Sequence, residues 1–182
     1  MPATPADLFA LLDRLGIAHA TVTHPPLFTV GESQALRGTI AGGESQALRG
    51  TIAGGHTKNL FLEDKKGALF LVTALEDAAI ELKSLHRRLG AGGRFSFGSA
   101  DLLRASLGIA PGAVTPFAAM NDTDRRVTVV LDAALMRHAT INCHPLVNTM
   151  TTSIAAAALV KFLAATGHPP RIEPVAEPEG AG

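Results

Sequence analysis

Two apolar runs joined by a short charged turn constrain the fold of this chain more than any other feature. Residues 58–63 read KNLFLE and residues 68–74 read ALFLVTA, with DKKG between them. Short apolar runs on either side of a glycine-containing turn predict an antiparallel β-hairpin. Because a hairpin supplies antiparallel strands, a sheet that also contains strands separated by helices is mixed rather than purely parallel.

Helix and strand patterns alternate along the rest of the chain. Thr4 can cap the first helix, with Pro5 and Asp7 in its first turn, and Ser99 can cap a later one. The sequence predicts helices at residues 4–16, 76–90, 99–108 and 155–167, with a short one in ESQALR. Besides the hairpin, it predicts strands at residues 19–24, 94–97, 125–132, 139–145, 149–154 and 171–175. This alternation predicts one compact α/β domain over residues 1–172, followed by an acidic, flexible tail at residues 173–182.

A perfect tandem repeat precedes the hairpin. The segment GESQALRGTIAG occupies residues 31–42 and recurs without a change at residues 43–54. Structural repeats drift in sequence and are usually 20 residues or longer. A single identical copy therefore indicates a recent duplication rather than a solenoid, and we expect it to add only a loop or a helical turn before Lys58.

Composition narrows the cellular setting. No apolar run approaches the ~20 residues that a membrane span needs. The N-terminal segment carries acidic residues and no basic region, so a signal peptide is not expected. Cys143 is the only cysteine, which excludes an internal disulfide and a multi-cysteine zinc site. These features together predict a protein of the reducing cytoplasm.

Charge balance limits how the chain can bind nucleic acid. Lysine plus arginine and aspartate plus glutamate number 16 each, whereas a general nucleic-acid binder usually carries a basic excess. Any RNA contact must therefore be local. The candidate basic segment holds one acid, Asp101, and five cationic residues, which are Lys83, Arg87, Arg88, Arg94 and Arg104. The alternative is that these residues form a solvated helix face.

Three stretches depart from a simple pattern of core and surface. HTKN at residues 56–59 places Lys58 at the mouth of a strand, where it is either a solvated edge charge or a charge aimed into a cleft. GIAPGAVTPF at residues 108–117 is a loop with little side-chain bulk, which can present backbone N–H groups to an anion or simply form a turn. NCHPLVNT at residues 142–149 breaks a strand at His144, which either acts in a site or caps the strand.

Several common catalytic arrangements are not indicated. Cys143 and His144 are adjacent on a strand, so their side chains should point to opposite faces and form a poor dyad. Cys143 is therefore interpreted as a buried thiol. His24, His56 and His144 are far apart, with no ligand spacing such as H-x-x-x-H, and no G-x-S-x-G motif is present.

Taken in order, three segments resemble a known family. GGHTKNLFLEDKKGALFLV, GIAPGAVTPFAAMND and HPLVNTMTTSI are similar to the YbaK/prolyl-tRNA synthetase-associated editing domain, and within it to free-standing deacylases that clear Ala-tRNA(Pro). The resemblance extends over nearly the whole chain, from PADLFALLDRLGI to FL. It implies a barrel-like mixed sheet surrounded by helices. The family normally carries GESQALRGTIAG once, so the duplication is a departure.

What the resemblance implies is hydrolysis of a mischarged aminoacyl-tRNA in trans. The functional lysine of the family falls on Lys58, its neighbour on Asn59 and its histidine on His144. Lys58 would hold the phosphate or ribose of the terminal adenosine. The enzyme would position a water and stabilise the oxyanion, with help from the ribose hydroxyl of the substrate and without a metal or cofactor. The substrate loop, G-x-x-x-P, falls on Gly112, Ala113, Val114, Thr115 and Pro116.

The implied partner is the acceptor end of tRNA(Pro). We further expect a transient contact with prolyl-tRNA synthetase, no association with a membrane, and a monomeric protein. Alanine is smaller than proline, so a synthetase pocket excludes it weakly and a second sieve restores accuracy. The form GAVTPF favours alanine. Two alternatives stay open, namely a Cys-tRNA(Pro) deacylase of the YbaK type and a non-catalytic tRNA-binding module with the same fold.

Overall fold

The computed structural model describes residues 1–26 and 52–177 of the chain. Its helices are α1 (Pro5–Arg14), α2 (Leu82–Arg88), α3 (Ala100–Leu107) and α4 (Ala156–Ala165), with 3-10 helices at Pro116–Asn121 and Leu135–Arg137. Its strands are β1 (His19–Thr23), β2 (Gly55–Glu63), β3 (Leu69–Leu75), β4 (Ser96–Phe97), β5 (Val127–Asp132), β6 (Thr140–Cys143), β7 (Met150–Ala155) and β8 (Arg171–Glu173). Helices and strands alternate as the sequence predicts.

Side-chain caps fix where two helices begin. The Thr4 Oγ1 accepts a hydrogen bond from the Asp7 N–H at 3.3 Å, and the Asp7 carboxylate accepts one from the Thr4 N–H at 2.8 Å. This reciprocal pair satisfies backbone donors that have no partner inside α1. The Leu102 N–H donates to the Ser99 Oγ at 3.1 Å and starts α3 in the same way. Both caps were predicted from the sequence.

The eight strands form one mixed sheet in the order β1-β7-β6-β2-β3-β5-β8, with β4 paired to the end of β2. The predicted hairpin is confirmed as the antiparallel pair of β2 and β3. Strand β6 lies parallel to β2 on its other side, and β5 lies parallel to β3. Since β1 and β8 end the path on opposite sides, the barrel-like sheet is open between these two strands.

Hydrophobic clusters cover the two faces of the sheet. The main core lies on the face that carries Phe61, and α1, α3 and α4 pack there through residues such as Leu8, Leu107 and Phe162. A smaller cluster lies on the opposite face, where Leu60 and Leu62 of β2 meet α2. We call this second face the α2 face. Because side chains alternate along a strand, Lys58 belongs to the α2 face.

The helix predicted over residues 76–90 is shorter in the structure and begins at Leu82. Tertiary contacts hold the preceding residues in a loop. The Glu76 N–H donates to the His56 carbonyl at 2.9 Å, and the Glu177 N–H donates to the Ala79 carbonyl at 2.7 Å. These bonds commit the backbone groups of the loop to neighbouring segments, so the acidic residues that resemble a helix N-terminus lie outside α2.

Packing at the C-terminus continues beyond the boundary expected at residue 172. Val175 is 1% exposed, and its N–H donates to the Asp132 Oδ1 at 3.0 Å. The Arg88 guanidinium and the Glu177 carboxylate form an ion pair at 2.7 Å. The segment up to Glu177 is therefore part of the domain, and the rest of the predicted tail, residues 178–182, lies outside the described residues.

Most of the tandem repeat, including the short helix predicted in ESQALR, also lies outside the described residues, which resume at Ile52. The end of the second copy contacts the sheet, because the Asn142 Nδ2 donates to the Ala53 carbonyl at 3.1 Å. None of the helices in the described ranges is long and apolar enough to cross a membrane.

Candidate active site

Strand register aligns three residues across the α2 face. Lys58 lies opposite Ala74 of β3. Thr73 lies beside Leu131, so the next residues in this parallel pair are Ala74 and Asp132. We call this line of side chains the cross-strand row; its members are Lys58, Ala74 and Asp132. On the other side of β2, the parallel pairing with β6 ends at His56 and Asn142, and His144 follows directly after β6.

Lys58 is buried rather than solvated, at 5% exposure. Its Nζ donates a hydrogen bond to the Ala78 carbonyl in the loop before α2. Burial lowers the pKa of Lys58, and the nearby carboxylates of Asp77, Glu76 and Asp132 oppose this effect. The side chain is thus directed into the protein at one end of the sheet, where negative charges favour its ammonium form.

Hydrogen bonding defines the tautomer of His144. Its Nδ1 lies 2.9 Å from the Met150 carbonyl oxygen. A carbonyl can only accept, so Nδ1 carries the proton, and the lone pair of the neutral ring lies on Nε2. Burial lowers the pKa of His144, and His24 lowers it further, against the opposing effects of Met150 and Glu76. His144 is therefore a neutral imidazole with a basic Nε2 at neutral pH.

His24 lies next to His144, which the sequence did not predict. The two ring centroids are 6.1 Å apart. The His24 Nε2 lies 2.8 Å from the Thr151 Oγ1, and its Nδ1 lies 2.8 Å from the Pro25 carbonyl. Because β1 pairs with β7, the end of β1 comes beside the turn that carries His144. No local signal in the sequence indicates this approach, since it depends on a strand pairing over a long sequence separation.

Glu76 connects the two ionisable residues electrostatically. It follows β3 directly, and its backbone N–H donates to the His56 carbonyl. Its carboxylate favours the charged forms of both Lys58 and His144. Lys58, Glu76 and His144 therefore occupy one end of the α2 face. The sequence did not single out Glu76 because it fell within a predicted helix.

The structure places Asn59 on the other side of the sheet from Lys58. Asn59 is 3% exposed, and its Oδ1 accepts a hydrogen bond from the Thr73 Oγ1 at 2.7 Å. This bond joins β2 to β3 on the face of the main core. Asn59 and Lys58 are neighbours in sequence, but their side chains point to opposite faces.

The predicted substrate loop is part of the main core in the structure. Gly112 has a φ of 92°, a conformation that favours glycine. Val114 is 2% exposed and packs within the main cluster. The Phe117 N–H donates to the Thr115 Oγ1 at 3.4 Å, where the 3-10 helix begins at Pro116. Among the described residues, no hydrogen bond joins residues 112–116 to Lys58 or His144.

Cys143 points into the main core, away from His144. It is 2% exposed, and burial raises the pKa of its thiol to about 12, although a hydrogen bond from Thr57 at 3.7 Å acts in the opposite direction. A thiol with this pKa is a poor nucleophile at neutral pH. Within residues 1–26 and 52–177, no three side chains of the metal-binding types His, Cys, Asp and Glu are grouped closely enough to hold a metal ion.

The five basic residues proposed from the sequence do not share one surface. Lys83 and Arg87 lie exposed on α2, which packs on the α2 face, and Arg94 lies exposed after it. Arg104 lies on α3, which packs on the main core, and it pairs with Asp101 at 3.2 Å. Arg88 is engaged with Glu177. The sheet therefore separates Arg104 from the cations of α2.

Comparison with known proteins agrees with this fold. The family model of the Aminoacyl-tRNA editing domain matches residues 39–162. Prolyl-tRNA synthetase associated domain-containing protein 1 of Danio rerio is 39% identical over 168 residues, which cover 91% of this chain and 84% of that protein. The prolyl-tRNA editing protein ProX of Acetoanaerobium sticklandii is 32% identical over 162 residues, covering 88% of this chain and 91% of the relative.

A solved structure shares the fold at low sequence identity. A protein crystallised as a proposed trans-editing enzyme for prolyl-tRNA synthetase superposes with a TM-score of 0.65 at 18% identity, covering 97% of this chain and 99% of the other. The mixed α/β domain is thus the fold of the trans-editing domains. With the match to residues 39–162 and the two relatives above 30% identity, these comparisons show that the chain belongs to the aminoacyl-tRNA editing domain family.

Proposed function

We propose that the protein is a trans-editing deacylase that hydrolyses the ester of mischarged Ala-tRNA(Pro). The observation that carries this proposal is that Lys58 and His144 lie at the same end of the α2 face, where the Glu76 carboxylate acts on both, with the lone pair of His144 on Nε2. A cation and a neutral base at one end of the sheet suit a substrate that has both a phosphate and an ester. The membership of the editing family supports the same reaction class.

In the proposed reaction His144 acts as the general base. Its Nε2 takes a proton from a water molecule, directly or through the ribose hydroxyl of the substrate, and the water oxygen adds to the ester carbonyl carbon. Collapse of the tetrahedral intermediate breaks the bond to the ribose oxygen, which regains the proton. The products are alanine and tRNA(Pro). An aminoacyl ester is already activated, so a positioned water suffices and no covalent intermediate is required.

Lys58 has an electrostatic role in this proposal. Its ammonium holds the phosphate or ribose of the terminal adenosine and places the ester beside His144. To do so, its Nζ exchanges the Ala78 carbonyl for the substrate, an exchange of one hydrogen-bond acceptor for another. Asn59 acts from the opposite face by fixing β2 to β3 through Thr73, so its proposed role is to hold the backbone that carries Lys58.

Substrate selection is assigned to the aminoacyl pocket. Residues 112–116 stay our proposal for its wall, and their small, buried side chains suit an alanine methyl group better than a proline ring. A synthetase discriminates poorly between alanine and proline, since each missing methylene lowers the binding free energy by only about 1–3 kcal/mol. The name of the ProX relative refers to prolyl-tRNA editing, which supports tRNA(Pro) as the carrier.

The deciding experiment compares Ala-tRNA(Pro), Cys-tRNA(Pro) and Pro-tRNA(Pro) by loss of the aminoacyl ester. We expect rapid hydrolysis of the alanyl ester, slower hydrolysis of the cysteinyl ester and none of the prolyl ester. The control pair is Lys58→Met, which removes the ammonium from the site, and Lys65→Met, which removes one from the exposed hairpin turn. Faster loss of the cysteinyl ester would assign the protein to the Cys-tRNA(Pro) deacylases.

Two further outcomes would replace the proposal. Binding of tRNA(Pro) without hydrolysis of any ester would identify a non-catalytic tRNA-binding module. Equal rates for Lys58→Met and the wild type would remove Lys58 from the mechanism. The cytoplasmic location, the monomeric state and the transient contact with prolyl-tRNA synthetase are parts of the same proposal. So is recognition of the acceptor end by Lys83, Arg87 and Arg94, the exposed cations on and after α2.

A further inference from the structure

A buried carboxylate on the α2 face has no part in the reaction as proposed above. Asp132 is 1% exposed, and its Oδ1 accepts a hydrogen bond from the Val175 N–H at 3.0 Å. Its Oδ2 is buried and has no hydrogen-bond partner among the residues that the structure describes. Burying a carboxylate oxygen without a partner is costly. Such a carboxylate is expected where its negative charge stabilises a nearby positive charge.

The group on which it acts is Lys58. Both residues belong to the cross-strand row, with Ala74 between them. Neighbouring strands lie about 4.8 Å apart, so the two backbone positions are roughly 10 Å from each other. Ala74 is fully buried and carries only a methyl group, so it leaves low-dielectric space between the two charges. The Asp132 carboxylate favours the charged form of Lys58.

Other charges near Lys58 differ from Asp132 in their exposure. Asp77 and Glu76 act on Lys58 more strongly than Asp132 does, but Asp77 is exposed and Glu76 is only half-buried. Salt and solvent screen exposed charges and leave buried ones largely unscreened. The other titratable groups on the elements around this face are His56 on β2, His144 directly after β6, Glu173 of β8, which pairs with Arg171 at 3.1 Å, and Glu177, which pairs with Arg88.

We propose that Asp132 is a positioning residue for Lys58. Its buried carboxylate is the fixed counter-charge that keeps Lys58 an ammonium ion when substrate excludes water and ions from the site. The hydrogen bond to Val175 holds that carboxylate in place, which links the C-terminal segment after β8 to the chemistry of β2. The proposal rests on the proposed function only in naming a substrate phosphate as the ligand of Lys58.

The test follows the titration of Lys58 by NMR of lysine labelled with carbon-13, and therefore needs no deacylation activity. Removing a nearby negative charge makes a cation easier to deprotonate. In Asp132→Asn we therefore expect the midpoint for Lys58 to move to lower pH, and to stay there at about 1 M salt. The matched variant is Asp77→Asn, whose effect on the same midpoint should fade as salt is added.

A second readout is the pH dependence of Ala-tRNA(Pro) hydrolysis. In Asp132→Asn the alkaline limb should move to lower pH, with a loss of rate approaching about tenfold above the new midpoint. The rate at lower pH, where Lys58 is charged in both proteins, should change little. If the wild type hydrolyses no ester, the proposed function fails, whereas the Lys58 titration still decides the role of Asp132.

Asparagine keeps an oxygen for the Val175 N–H, so the variant should fold, as a thermal transition would show. If it does not fold, Asp132→Ser gives a second measurement, because serine also removes the negative charge and keeps an oxygen as a hydrogen-bond acceptor. The Lys58 midpoint should then again lie at lower pH than in the wild type. An unchanged Lys58 midpoint in folded Asp132→Asn or folded Asp132→Ser would overturn the proposal.

Discussion

Burial acts in the same direction on Lys58 and His144 but has a different chemical result for each. It lowers the pKa of both residues, because a low-dielectric environment disfavours a positive charge. For His144 the result is a neutral ring that can accept a proton. For Lys58 burial disfavours the ammonium form that the proposed reaction needs, and the surrounding carboxylates partly offset this effect by favouring that form. The site thus holds a base and a cation at the same end of the α2 face.

At the residue scale, the pH profile of hydrolysis should report the state of His144. Because its pKa is lowered from the ordinary value of 6.5, the ring stays neutral below that pH. The acid limb of the rate should therefore lie below 6.5, and His144→Ala should lose about 10²- to 10⁴-fold in rate. Rates of single-turnover hydrolysis between pH 5 and 8 provide the measurement.

His24 supplies the matched variant for this profile. Its ring lowers the pKa of His144, so His24→Gln should move the acid limb toward higher pH while the fold is retained. An acid limb at or above the ordinary imidazole value in the wild type would show that another group is the base.

At the element scale, a buried pair joins the end of α4 to the start of β5. The His168 Nε2 lies 3.0 Å from the Asp122 Oδ2, and both side chains are at most 3% exposed. The same Oδ2 accepts a hydrogen bond from the Val127 N–H at 2.8 Å. His168→Leu should lower the free energy of unfolding by about 1–3 kcal/mol, because it leaves a buried carboxylate with one partner fewer.

Urea denaturation followed by circular dichroism would measure this change. The matched control is His138→Leu, which alters an exposed histidine and should change stability by less than about 0.5 kcal/mol. Equal effects of the two substitutions would mean that the pair does not stabilise the junction between α4 and β5.

Residues that are close in the sequence predicted the helices and strands, but they did not predict which residues lie beside one another in the site. The caps at Thr4 and Ser99 and the hairpin depend on adjacent residues, and all three are confirmed. The site depends on strand register. Asp132 lies in the row of Lys58 because β3 and β5 are parallel, and His24 meets His144 because β1 pairs with β7. Neither pairing leaves a signal in the residues themselves.

At the scale of the whole molecule, we expect that one of the two copies of the tandem repeat can be deleted without loss of function. Deleting either copy gives the same sequence, and the remaining copy still supplies Ile52 and Ala53. Their carbonyls accept hydrogen bonds from the His56 Nε2 and the Asn142 Nδ2, both at 3.1 Å. We therefore expect the shortened protein to keep its thermal transition and its hydrolysis rate within about twofold, since the length of a connection between two elements affects stability only weakly.

Deletion of both copies is the control, because it removes these contacts beside the site and should reduce activity. A collapse of activity after the loss of a single copy would show instead that the two copies have different structural roles.

The pairing of β1 with β7 has a consequence for the order of folding. Thr21 and Thr152 are 131 residues apart in the chain, yet their Oγ1 atoms lie 2.8 Å from each other. The hairpin that carries Lys58 forms between neighbouring segments, whereas contacts over such long separations form slowly because the intervening chain must first be closed into a loop. We therefore expect the two halves of the site to form at different times. In a nascent or refolding chain the hairpin that carries Lys58 should form early, and the His24 and His144 rings should come together only when the N-terminal strand has docked.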